Sequence, residues 1–202
     1  MQLKVVNWCN NNNNNNNNSG NNDSDGFTDV PKDAYYADAV NWAVKNGITT
    51  GKTETLFAPN DVCTRAQMIT FLWRAAGSPE PMSTDNPFTD VDTDLYYGKA
   101  VLWAVEKGIT TGMTPTEFGP DETVDRGQTV TFIYRAAGSP AVTDDNAASQ
   151  FTDLDPEFYY MDAVNWAVEN GITKGLSRTE FGPDEDCTRA QIVTLLYRYY
   201  AA

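Results

Sequence analysis

The sequence predicts an all-α (mainly helical) fold, with three helix-loop-helix repeats packed around a shared centre. Three observations carry this expectation. After residue 26 one unit is written three times: residues 27–79 and 88–140 match without a gap at 31 of 53 positions, and a third copy runs over 151–202. Such self-similarity means that the fold has to be read through its repeats. Within each copy, apolar residues recur at three- and four-residue spacing in two stretches, each closed by a glycine, which is the period and the stop of a helix. A single hairpin of this size cannot bury its apolar face alone, whereas three copies can share one core.

In chain order, residues 1–26 come first. Nine consecutive asparagines at 10–18, followed by SGNNDSDG, cannot bury enough surface to offset the entropy of ordering them, so this segment reads as a disordered tail or linker. The start, MQLKVVNWC, has no signal-peptide core, and an exported protein of this kind is expected to be a fragment of something longer. DSDG at 23–26 has the opening of a calcium loop without its glutamate, so no metal is expected there.

The first helix of copy one is expected over about Tyr35 to Asn46, with Ala39, Val40, Ala43 and Val44 on one face and Gly47 as its C-cap. A loop, GITTGKTETLFAPNDVC, follows, punctuated by Gly51 and Pro59, with a very short extended piece around Ile48. The second helix opens on Thr64, and Gln67 three residues on completes a capping box. It runs through Ala66, Ile69, Leu72 and Ala76 to the stop at Gly77-Ser78-Pro79. The joins at 80–87 and 141–150 are rich in Asp, Asn, Ser and Pro.

Composition excludes several classes. With 14 basic and 28 acidic residues the net charge is −14, the opposite of the basic stripe that a nucleic-acid partner requires. There is no histidine, which removes histidine-activated nucleophiles and histidine metal sites. Three cysteines are too few and scattered for a disulfide framework or a zinc cluster. Cys63 and Cys187 occupy the place held by Val124 in the middle copy and read as small buried hydrophobes rather than a bridge, with Cys9 a free thiol in the tail. No run approaches the ~20 apolar residues of a membrane span.

The motifs FTDV, YYADAVNWAVKNGITTG, LFAPND and TRAQ, in that order and three times over, resemble the S-layer homology (SLH) domain, whose consensus has F-x-D-V, G-I-x-x-G, F-x-P and T-R-A-E. The resemblance covers residues 27–202. It implies a pseudo-threefold bundle in which each copy gives one helix to a central core. It also implies non-covalent anchoring of exported proteins to the bacterial cell wall through a secondary cell-wall polysaccharide, often pyruvylated, held in grooves between copies by the arginine of T-R-A-E. The G-I-x-x-G turns bring Gly51, Gly112 and Gly175 into the candidate site. All three copies depart from the consensus in ending on glutamine (Gln67, Gln128, Gln191), and the middle copy has Asp125 for Thr and Gly127 for Ala.

Arg65, Arg126 and Arg189 each fall in the first turn of a second helix, where the dipole disfavours a cation by roughly 0.3–1 kcal/mol. A bound carboxylate would reverse the sign. The helix end offers unpaired N–H groups, and arginine grips carboxylates with two parallel hydrogen bonds. The three arginines therefore read as carboxylate receptors. On the alternative reading, each pairs with a loop acid, Asp29, Asp90 or Asp153, residues that also belong to the candidate ligand-binding set. Asp125 and Gly127 make Arg126 the weakest expected site. Arg74, Arg135 and Arg198 also repeat, but near helix C-termini, where a structural role is expected.

Trp42, Trp103 and Trp166 are candidate saccharide platforms, and equally candidate core residues with one exposed edge. One ring of each Tyr pair (35–36, 96–97, 159–160) is expected to pack. Lys174, which replaces Thr50 and Thr111 in the third turn, is either a plain surface lysine or a second cation in one groove. The acidic spacings at 90–94 and 153–157 read as solvated loop acids, because Pro31 breaks the pattern in copy one. No cofactor is expected. An enzyme would need a unique acid/base pair, which threefold copying of every plausible residue argues against. The function expected is an extracellular wall-anchoring module, at the bacterial cell wall or S-layer, with a carboxylate-bearing glycan as partner and an attached cargo or self-assembly possible. The alternatives are a helical-repeat protein–protein interaction or a self-assembling surface-layer module.

Overall fold

The computed structural model describes residues 26–201. The tail expected at 1–26, with Cys9, lies outside the described residues but for Gly26. Six helices follow in pairs: α1 (Ala37–Lys45) and α2 (Arg65–Ala75), α3 (Gly98–Glu106) and α4 (Arg126–Ala136), α5 (Met161–Glu169) and α6 (Arg189–Tyr200). Among the described residues there are no strands, only isolated bridges such as Val62 with Thr188.

The second helices start where the caps place them. Thr64 and Thr188 accept from the N–H of Gln67 and Gln191, and those glutamines reach back to the cap N–H groups, so both capping boxes form. Asp125 accepts from the N–H of Gln128 without a box. The first helices begin two residues later than expected, after Tyr36, Tyr97 and Tyr160, which lend no side-chain cap. The extended piece expected around Ile48 does not form. The N–H groups of Ile48 and Thr49 both go to Ala43 O, at 2.8 and 3.4 Å, so these residues close the helix end and satisfy carbonyls that would otherwise be orphaned.

Packing runs across copies. α2, α4 and α6 contact one another, while α3 lies on α2, α5 on α4 and α1 on α6. The last pair joins the two ends of the described chain. Met68, Ile69 and Leu72 of α2, Ile133 of α4, and Ile192, Val193 and Leu196 of α6 are buried where the second helices meet, each burial contributing about 1.5–3 kcal/mol. Just before these helices, three residues close a ring of backbone bonds. Cys63 N–H donates to Cys187 O (3.0 Å), Cys187 N–H to Val124 O (2.8 Å), and Val124 N–H to Cys63 O (3.1 Å). Both cysteines are buried and unbridged, in the same environment as the valine.

Candidate functional site

The F-x-P loops carry the geometry. Asp29 accepts from the N–H groups of Phe57 and Ala58, Asp90 from Phe118 and Gly119, and Asp153 from Phe181 and Gly182, at 2.6–2.9 Å. Each aspartate thus holds the loop of its own copy. The arginine of another copy takes the same phenylalanine from the opposite side. Arg65 Nε donates to Phe118 O, Arg126 Nε to Phe181 O and Arg189 Nε to Phe57 O, at 2.8–2.9 Å. Their guanidiniums lie 4.9–5.0 Å from the same rings, a cation–π distance. The aspartates therefore do not pair with the arginines. They bond backbone N–H groups, and among the described residues no ion pair involves Arg65, Arg126 or Arg189.

The anion site expected at each helix N-terminus is also filled. Arg65 N–H donates to Glu122 O and Ala66 N–H to Pro120 O, with Glu185 O and Pro183 O serving α4, and Asp61 O and Pro59 O serving α6. One loop thus supplies carbonyls to both the helix end and the guanidinium, which offsets the charge–dipole conflict without a ligand. The arginines are only 4, 4 and 7% exposed. Burial pulls the pKa of Arg65 and of Arg126 below its usual value, yet an arginine stays charged at any pH of interest.

Part of the Arg189 and Arg65 guanidiniums remains available. A groove of about 240 Å³ brings Arg189 together with Thr49, Gln67 and Arg74 of the first copy and Tyr96 of the second. A matching groove of about 330 Å³ joins Arg65 to Thr110, Gln128 and Arg135 of the second copy and Tyr159 of the third. Each groove is thus made by three copies. Gly51 and Gly112 form part of the walls. Both have positive φ, 87° and 88°, and a Cβ on Gly51 would lie 2.3 Å from the Phe27 ring, so only glycine fits. Gly175 repeats this against Phe151. Arg74, Arg135 and Arg198 pin their turns by donating Nη1 to the carbonyls of Ile48, Ile109 and Ile172.

The tryptophans line neither of these grooves. Trp103 and Trp166 are 5 and 6% exposed, and Trp42 packs on Tyr197 at 5.7 Å. Trp103 and Trp166 are thus buried, as the core reading has it, while Trp42 is half-buried. Lys174 is exposed, at the position equivalent to the groove-lining Thr50 and Thr111. Asp125 acts on a different arginine from the one beside it. Gln128 donates Nε2 to Asp125 (2.6 Å) and accepts from Arg65 Nη1 (2.7 Å), so the charge expected to burden Arg126 faces Arg65.

Residues 26–69, 87–130 and 150–193 match the S-layer homology domain. The chain belongs to the S-layer homology domain family. It is 27% identical over 165 residues to an S-layer protein of Bacillus thuringiensis subsp. finitimus, covering 82% of this chain and 20% of that one. It is 31% identical over 179 residues to an endoglucanase of Bacillus sp. (strain KSM-635), covering 85 and 19%, and 34% identical over 101 residues to the surface-layer 125 kDa protein of Lysinibacillus sphaericus, covering 50 and 8%. The chain thus spans about a fifth or less of these relatives. An S-layer homology module is a cell-surface anchoring element, and the family and these relatives place this chain at the cell wall surface or S-layer. Among the described residues no helix is long and apolar enough to cross a membrane.

Several groove residues escaped the sequence reading. Arg74 and Arg135 sit near helix C-termini, where a local reason for a cation suffices. Nothing local says that they also face a space shared with another copy. Tyr96 and Tyr159 carried a signal, one exposed ring in each repeated Tyr pair, that was readable only as half packed. The packed partners are Tyr97 and Tyr160.

Proposed function

We propose that this chain is a non-catalytic anchoring module that binds an anionic, pyruvylated secondary cell-wall polysaccharide in the grooves between its copies, arranged as a pseudo-threefold bundle. The observation that carries this reading is local inversion of charge. A chain of net charge −14 places two arginines in each of two matching grooves, and none of the four has an ion-pair partner among the described residues. A carboxylate entering the groove meets guanidinium N–H groups left over from the Phe57 or Phe118 carbonyl bond, the second arginine, and a threonine hydroxyl. Charge-assisted bonds of this kind contribute about 1.5–3 kcal/mol each. The phenol beside them stays neutral well above physiological pH, since burial together with the charges of Asp125 and Asp184 pushes the Tyr159 pKa up to about 12. Pyruvate ketals supply such a carboxylate on a sugar of groove size. The endoglucanase relative fits a reading in which modules of this type tether an attached cargo.

Sedimentation with purified cell walls, before and after chemical removal of pyruvate, tests the reading. The full chain is expected to co-sediment with intact walls and to stay in solution with depyruvylated ones. Equal binding to both would exclude the carboxylate, and hydrolysis of wall glycan by the chain would overturn the non-catalytic assignment.

A further inference from the structure

The groove built on Arg65 is wired differently from the one built on Arg189. In the Arg189 groove, Gln67 Oε1 accepts from Thr64 N–H (3.3 Å) to close its capping box, and its amide Nε2 donates to nothing among the described residues. In the Arg65 groove, Asp125 stands where Thr64 stands, and its carboxylate brings a second accepting oxygen where Thr64 has a single hydroxyl that accepts the Gln67 N–H. The carboxylate takes the N–H of Gln128 (2.6 Å) and its amide Nε2 (2.6 Å). The amide is thereby turned so that Oε1 meets Arg65 Nη1 at 2.7 Å. The result is a continuous relay from carboxylate to amide to guanidinium. The amide N–H that the Arg189 groove leaves open on Gln67 is consumed here, the guanidinium is held at 2.7 Å by an amide oxygen where Arg189 has a 3.4 Å contact with the Thr49 hydroxyl, and a fixed negative charge stands behind them.

We infer that Asp125, acting through Gln128, makes the Arg65 groove discriminate against carboxylate ligands, so that the polysaccharide's acidic residue is taken by the Arg189 and Arg126 sites. The relay does to Arg65 what a ligand carboxylate would do, so an incoming anion has to displace it while facing like charge. Two further features point the same way. Asp125 is the strongest opposing charge on Arg65, and in the third copy, whose Phe181 carbonyl Arg126 takes, Thr188 stands in place of the acid, Gln191 closes its capping box as Gln67 does and the turn carries Lys174. Asp125 and Gln128 are specificity-determining residues on this account. The inference rests on the glycan-binding reading above, and its test separates the two.

The side-chain Nε–H signals of Arg65, Arg126 and Arg189 in the full chain report each groove individually, and the probe is a methyl glycoside of N-acetylmannosamine carrying a 4,6-pyruvate ketal. The Arg189 and Arg126 signals are expected to move first, with Arg65 needing about tenfold or more additional ligand, the loss associated with one charge-assisted bond. In Asp125→Thr, which restores the cap of the other two copies, the Arg65 signal should move with the others. Equal response of all three in the natural sequence, or an Arg65 signal that stays behind in Asp125→Thr, overturns the inference alone. No response from any arginine in either protein overturns the glycan-binding reading, and this inference with it.

Discussion

The ring at 63, 124 and 187 and the grooves outside it are made by the same three stretches of chain, yet they obey different rules. In the ring, backbone bonds link Cys63, Val124 and Cys187 cyclically, and side chains as different as Cys and Val serve equally because only N–H and C=O are used. In the grooves the partners are side chains, and a single exchange of Thr for Asp rewires Gln128 and Arg65. Architecture carried by the backbone tolerates divergence among copies, whereas recognition carried by side chains registers it.

Cutting the ring should produce the largest effect. Deleting residues 151–202 removes α5 and α6, leaving α1 without its packing partner and Cys63 N–H without its acceptor. The remainder is expected to lose cooperative unfolding altogether, because each copy buries its first helix on another copy. A sharp two-state thermal transition by circular dichroism from residues 1–150 would show that the copies are independent.

Next comes the wall of the Arg189 groove. Gly51→Ala would need φ near +87° with a Cβ 2.3 Å from the Phe27 ring and 2.7 Å from Thr53 O. Left-handed strain of about 1–2 kcal/mol and overpacking of about 1–3 kcal/mol add to roughly 2–5 kcal/mol. Chemical denaturation should report this, and a loss below about 1 kcal/mol would mean that the turn relaxes freely.

The arginines link the two regions, and here the structure reverses an expectation. From the helix dipole alone, Arg→Ala at 65, 126 or 189 removes an unfavourable contact and leaves stability intact. In the structure the same change leaves a buried carbonyl of Phe118, Phe181 or Phe57 without its donor, at about 1–3 kcal/mol. Each variant is therefore expected to fold but with a lowered denaturation midpoint, in addition to any loss of glycan binding. Unchanged midpoints would restore the dipole argument.

That reversal shows what was legible. Helix positions, the Thr64 and Thr188 capping boxes and the glycine stops follow from residues within a turn or two of one another, so periodicity and spacing revealed them. The partners of Arg65, Asp29 and Asp125 did not show, because each interaction is closed by a loop elsewhere: Phe57 lies 28 residues from Asp29, and Gln128 lies 63 from Arg65. Sequence proximity suggested that Asp125 burdens Arg126. The groove, assembled from three copies, gives it to Arg65 instead.

The smallest effect at neutral pH belongs to the ring's own side chains. Cys63→Val and Cys187→Val copy the residue already buried at 124, so each should change stability by less than about 1.5 kcal/mol. Their signature appears in alkali. Burial pushes the Cys63 thiol up to about 12 and that of Cys187 up to about 11, from an ordinary value of 9.0. A thiol whose pKa is raised on folding contributes stability that is fully present below the unfolded pKa and is lost as pH rises towards the folded one. The window is therefore pH 9 to about 11–12. At pH 10 the unfolded chain gains about 1.4 kcal/mol for each thiol it ionises, so the natural chain should lose roughly 3 kcal/mol more between pH 8 and pH 10 than the double valine variant. Tyrosines and lysines titrate in both proteins, and the difference between the two curves isolates the thiols. Iodoacetamide at pH 8 should leave both cysteines unmodified in the native state and modify both in denaturant. Parallel stability curves, or fast native alkylation, would mean that the ring opens readily and is not the rigid part of the molecule.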